Sequence, residues 1–176
     1  MPFFVSPSMV MTLLPATSPT GSIHDLTGSI LKMDVLKYLS PEDTLALIPL
    51  LYRVAFPSGH HIYYENDPGG SLYFILKGEV AIELSGRQIR KYGPDESFGE
   101  VAFIDESIRT GSARALTDVD LAILHGSDLY DPLKVSPVIA MNLQRAQAAK
   151  VEGYIRSTLK TTTRNLLMKR EGDTVI

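Results

Sequence analysis

The stretch "FGEVAFIDESIRTGSARALTDVDLAIL", Phe98 to Leu124, decides how this chain is read. It carries a Gly-Glu pair, Gly99-Glu100, and nine residues after Glu100 a lone arginine, Arg109, inside an otherwise apolar, strand-like run. Desolvating two ions costs several kcal/mol each, so a carboxylate and a guanidinium side by side in such a run need a reason. Glycine lets backbone approach a ligand closely. The following "VAFID" can form one helical turn, whose free N–H groups favour an anion. Arg109 offers a planar fork suited to two oxygens of a phosphate, and Glu100 an acceptor for a sugar hydroxyl. Together these parts describe a pocket for a small phosphorylated sugar carrying one negative charge. The competing explanation of the same two residues is a structural ion pair on a loop.

Working outward, short β-branched and aromatic runs alternate with turn clusters. The runs are "YRVAF", "HIYYE", "SLYFIL", "EVAIEL", "RQIRKY", "SARAL" and "VDLAIL"; the turns include "PSG", "NDPGG" and "SG". Many short strands so spaced predict an all-β sandwich or barrel, and a jelly roll closes naturally at about eight strands. Ahead of them, apolar residues at helix spacing predict a helix over Ser29–Tyr38. A second follows Ser40, with Ser40 as N-cap, Pro41 at the first helical position and Asp43 completing the capping pattern. After the strands, Ser136 and Pro137 open a long helix. Its apolar stripe draws on Val138, Met141, Leu143, Ala146 and Ile155 and is broken by Gly153; Thr162–Arg170 forms a last short piece. The expected fold is therefore mainly β: an antiparallel jelly-roll (double-stranded β-helix) with N-terminal helices and a long C-terminal helix. The expected divisions are a poorly ordered leader at 1–28, a β-roll with its N-terminal helices at 29–135, and a C-terminal helix with a basic tail at 136–176.

Composition sets outer bounds. A chain of 176 residues, 44% apolar, holds one ordinary domain with a real core. It has no cysteine, which excludes disulfides and thiolate-ligated zinc or iron–sulfur clusters. A net charge of −3 argues against a chain wrapped in nucleic acid. No apolar run approaches the ~20 residues needed to span a bilayer. The opening stretch lacks early basic residues and is interrupted by Pro2, Pro7, Pro15 and Pro19, unlike a secretory signal. A cytoplasmic location is expected. Between Arg156 and Arg170 lie five basic residues and no acid. Cations favour a helix C-terminus through its dipole; the functional alternative is a docking surface for an acidic partner.

The run Phe98-Gly99-Glu100, then Ala102, Arg109-Thr110 and Ala113-Arg114-Ala115, resembles the phosphate-binding cassette of cyclic nucleotide-binding domains. "DPGGSLYFILKGEVAI" is similar to that family's paired strands around a glycine turn, "GPDESFGE" to its approach to the cassette, and "TDVDLAIL" to its final strand. The resemblance covers about Asp34 to Leu159. It implies a sensor that binds cAMP or cGMP, cAMP favoured, with no other cofactor, no metal and no catalysis. The implied ligand-binding residues are Phe98, Gly99, Glu100, Val101, Ala102, Arg109, Thr110 and Gly111, with Arg109 on the cyclic phosphate and Glu100 on the ribose 2′-hydroxyl. Two positions depart from the family pattern: Ile108 stands where proline is common, and Gly111 where alanine is usual. A more mobile phosphate turn is the expected consequence.

The family's long helix implies a homodimer interface or a lid over the base, with Leu143, Ala146, Val151, Ile155 and Leu159 apolar enough for either. Tyr154 and Thr158 are candidate base contacts. DNA-binding members append a helix-turn-helix unit, for which too few residues follow Leu159 here. A sensor without direct DNA binding, acting on an effector protein of unknown identity, is expected. Two other functions compete. A metal-dependent cupin enzyme would use His60, His61 and Glu65, but adjacent strand residues point to opposite faces. A ligand-free interaction module would keep the fold alone.

Overall fold

The computed structural model describes residues 23–104 and 107–172, with side-chain surroundings for 27–104 and 107–161. Eight strands follow in chain order: β1 Leu51–Phe56, β2 His61–Tyr63, β3 Ser71–Lys77, β4 Val80–Leu84, β5 Arg87–Tyr92, β6 Ser97–Phe98, β7 Ser112–Ala115 and β8 Val119–His125. They form two four-stranded sheets, ordered β1-β8-β3-β6 and β2-β7-β4-β5, with every pairing antiparallel. This is the expected jelly roll.

Alternation along β3 and β8 explains how the layers stack. Tyr73 and Ile75 on β3, and Leu121 and Ile123 on β8, point between the two sheets, where they join Ile62, Val80, Phe98 and Ala113. Leu72 and Phe74, with Ala122 and Leu124, point the other way into a second core made with the helices. A sheet buried on both faces needs apolar residues at successive positions. Hence the unbroken runs "LYFIL" and "LAIL".

The helices are α1 Ile23–Ile30, α2 Pro41–Leu47, α3 Glu100–Ile104, α4 Gly126–Leu129 and α5 Pro137–Gly172, with short 3-10 turns at Leu36–Tyr38 and Ile48–Leu50. The caps fall where expected. The Asp43 N–H donates to Ser40 Oγ at 3.1 Å, and α5 opens on Pro137 after Ser136.

Three expectations need correction. The helix foreseen over Ser29–Tyr38 is instead the end of α1, a turn, and the first 3-10 turn. Met33, Val35 and Leu36 all enter the same core as Ile30, and one continuous helix would turn Val35 about 200° away from Met33. Residues 23–28, assigned to the leader, begin α1; residues 1–22 lie outside the described part. Finally, α5 runs through Gly153 and on through the separate piece foreseen at Thr162–Arg170. A Cβ at Gly153 would meet nothing within 4 Å. The glycine weakens the helix by about 1 kcal/mol without interrupting it.

Candidate functional site

Gly99, with φ +90°, ends β6 and turns the chain into α3. Beside it lies a pocket of about 240 Å³ between the β-roll and α5. All eight residues implied by the resemblance line it: Phe98, Gly99, Glu100, Val101 and Ala102 from one side, Arg109, Thr110 and Gly111 from the other.

The loop between β2 and β3 fixes Arg109. The Arg109 N–H donates to the Asp67 carbonyl at 2.8 Å, and its carbonyl accepts from the Asn66 N–H at 2.9 Å. Arg109 is 3% exposed. Its Nη1 donates to the Gly99 carbonyl at 3.1 Å and its Nη2 to the Ser71 carbonyl at 2.8 Å. The guanidinium lies over the rings of Tyr63 and Tyr73, 4.4 and 5.3 Å from their centroids. Its Nε is buried with no hydrogen-bond partner. Among the described residues, no carboxylate forms an ion pair with Arg109. Neutral carbonyls and ring faces orient the cation, and none of the described residues compensates its charge.

Glu100 is 5% exposed, and the pairing implied by the opening stretch is not the one the structure makes. The carboxylate meets Lys150 of α5, with Nζ 2.5 Å from Oε1. Both residues line the one pocket, each held by other groups. Lys150 was not singled out from sequence. Its signal was there: it falls on the helical face of Leu143, Ala146 and Gln147, all buried, where a lysine is out of place unless partnered.

Aromatic rings complete the wall. Tyr73 and Phe98, cross-strand partners, stack with centroids 4.9 Å apart and planes 9° apart. Tyr63 tilts against both. From α5 come Val151, Tyr154 and Ile155. Arg90 lies 3.5 Å from the Tyr154 ring centroid. Burial pushes the Tyr154 phenol up to about 12, and it raises Tyr63, Tyr73 and Tyr92 as well, against the opposing pull of Arg109 on Tyr63 and Tyr73. Of the two candidate base contacts, Tyr154 lines the pocket, and Thr158, one turn on, does not.

Gly111 has a steric explanation. A Cβ there would sit 2.7 Å from the Glu83 carbonyl oxygen of the neighbouring strand β4. Alanine, usual at this position in the family, would force β7 and β4 apart. The glycine answers to close strand packing rather than to a loose turn.

Arg114 lies outside the pocket and pairs with Glu83 at 2.5 Å. His61 stacks on Tyr64 at 4.4 Å and lies 3.7 Å from Glu83. Among the described residues no cluster of three His, Asp or Glu could hold a metal, and no helix is long and apolar enough to cross a membrane.

The sequence model of the cyclic nucleotide-binding domain matches residues 53–134. The N-terminal domain of a transcriptional regulator from Streptomyces coelicolor superposes with a TM-score of 0.62 at 30% identity, covering 73% of this chain and 94% of that domain. The chain belongs to the cyclic nucleotide-binding domain family. Its domain is regulatory in kind, a binding module of signal transduction. The Cyclic AMP receptor protein of Thermus thermophilus is 32% identical over 118 residues, 64% of this chain and 55% of the relative. A cGMP-dependent protein kinase of Caenorhabditis elegans is 29% identical over 116 residues, 66% of this chain and 15% of the kinase. The chain thus spans about half the length of the first relative and a small part of the second.

Proposed function

We propose that the pocket binds a cyclic nucleotide, cAMP ahead of cGMP, and that α5 reports its occupancy. The observation that carries this is the buried Arg109 guanidinium, without a carboxylate partner among the described residues and with an orphaned Nε. An uncompensated buried cation is costly, and an incoming phosphate would supply the missing charge and acceptors. Glu100 takes the ribose 2′-hydroxyl. Gly99, Thr110 and Gly111 bring backbone to the phosphate, and Tyr154 covers the base. Because Val151, Tyr154 and Ile155 of α5 line the same cavity, a ligand there has differential contacts with the helix, the condition for shifting it.

The preference for cAMP rests on the resemblance; Thr110 lines the pocket and suits either base. The chain acts as a non-enzymatic sensor in the cytoplasm, pairs with a second copy through α5, and passes its signal to an effector protein. Leu143 and Ala146 are spent on the protein's own core, so the dimer face is the exposed side carrying Ile155 and Leu159.

Thermal unfolding with saturating cAMP and then cGMP tests this, wild type beside Arg109→Ala. At a hundred times the dissociation constant, ligand adds about 2.7 kcal/mol, a rise of roughly 5–11 °C for a domain of this size. The rise should vanish in Arg109→Ala. Equal rises in both proteins would place the ligand elsewhere.

A further inference from the structure

Lys150 belongs to no element of the β-roll, yet its ammonium holds Glu100, a residue of the pocket lining, from behind that lining. It is 2.5 Å from Glu100 Oε1, 2.8 Å from Asp34 Oδ2, 2.6 Å from the Ser97 carbonyl and 2.7 Å from Ser97 Oγ. The Lys150 side chain is 9% exposed. Ser97 Oγ in turn lies 3.0 Å from Asp34 Oδ1 and 3.3 Å from Glu100 Oε1. One helix side chain thus gathers the turn after α1, strand β6 and the first residue of α3.

Among the described residues the polar contacts to the Glu100 side chain fall on Oε1, and Glu100 lines the pocket, which leaves Oε2 as the oxygen to offer a ligand. We propose that Lys150 is a positioning residue: by clamping Oε1 it aims Oε2 at a ligand hydroxyl, so that selection of a ring bearing that hydroxyl passes through a side chain of α5. This rests on the pocket assignment above. The physical reason is charge and geometry together. Asp34 and Glu100 bring two carboxylates to one place, and a buried carboxylate needs a compensating cation. Arg109 is held away by its own carbonyl partners. Without Lys150, Glu100 loses both its counter-charge and its fixed direction, and an unaimed acceptor discriminates poorly.

The experiment compares the affinities of cAMP and 2′-deoxy-cAMP, which share the cyclic phosphate, for wild type, Glu100→Ala, Lys150→Met and Lys150→Gln. Wild type should favour cAMP by about ten- to a hundredfold, the range for a hydrogen bond to a charged group. Both Lys150 variants should bring that ratio to within about threefold, close to Glu100→Ala, with 2′-deoxy-cAMP binding largely kept. Lys150→Arg should restore part of the preference. The glutamine variant keeps a polar tip for Ser97 and Asp34 and decides the matter if methionine prevents folding. A ratio unchanged in the Lys150 variants overturns the inference, including the case where both affinities fall alike because the lysine serves only packing. If wild type binds neither nucleotide, the pocket assignment itself falls, a result distinct from an unchanged ratio.

Discussion

Replacing Gly99 with alanine perturbs the pocket through a residue that has no side chain in it. At φ +90° an L-residue is strained, by about 1–2 kcal/mol. The added Cβ would lie 2.8 Å from Arg109 Nη1, 3.1 Å from the Ser71 carbonyl oxygen and 3.2 Å from Tyr73 Cδ2. It enters between the guanidinium and the carbonyls that hold it, and a hydrogen bond from a charged group contributes about 1.5–3 kcal/mol. Losing one of the two and adding the strain gives roughly 3–5 kcal/mol of destabilisation, a fall of roughly 6–20 °C in melting temperature. Gly86→Ala is the control. Gly86 has φ +74° in the β4–β5 turn, but its Cβ would meet nothing within 4 Å. Only backbone strain applies there, about 1–2 kcal/mol, and nucleotide affinity should not change. Circular dichroism melts and calorimetric titration with cAMP read both effects. A Gly99→Ala protein that melts no lower than Gly86→Ala and binds as wild type would refute the steric account of the cassette.

Leu143→Ala should cost about 2–5 kcal/mol whatever the protein concentration, because Leu143 is buried in the chain's own core. Leu159→Ala, 60% exposed in a single copy, should leave single-chain stability nearly unchanged and weaken self-association in sedimentation velocity. Gly111→Ala should lower stability by about 1–3 kcal/mol by overpacking β7 against β4, visible as a lower urea midpoint. The tyrosines give a pH dependence whose sign is fixed. Tyr154 is raised to about 12, and Tyr63, Tyr73 and Tyr92 are raised as well. Above pH ~10 the unfolded phenols release protons that the folded ones retain. Stability is therefore fully present below that pH and falls as pH climbs toward 12, and phenolate absorbance from these residues should emerge together with unfolding.

Much of the site was legible because it is local in sequence. Phe98 to Ala102 and Arg109 to Gly111 form two short runs, and their residue types state their chemistry. Seven of the eight strands were legible because turn residues punctuate them; β6, only Ser97–Phe98, is too short to show as a run. What sequence reading missed depends on long-range placement. Lys150 meets Glu100 from fifty residues away, and only the docking of α5 makes that contact. The competing reading of Glu100 and Arg109 as an ion pair fails for the same reason: Glu100 meets Lys150 of α5, whereas Arg109 is held by the Gly99 and Ser71 carbonyls. Tyr63, Tyr92 and Ile82 read as ordinary strand residues, and nothing local marks the faces on which they reach the pocket. The basic run from Arg156 divides likewise. Arg156 is engaged with Glu152 at 2.7 Å one turn back, whereas the side chain of Arg164 falls outside the described residues.

The most direct measurement is of the Arg109 side-chain Nε–H resonance by ¹H–¹⁵N NMR, assigned by its absence from Arg109→Ala, during titration with cAMP. A buried N–H without a partner that receives a phosphate oxygen should move strongly downfield and exchange more slowly with solvent. That is the predicted result. A resonance that stays in place while cAMP binds, or the absence of any binding, would contradict the claim that this guanidinium awaits a phosphate.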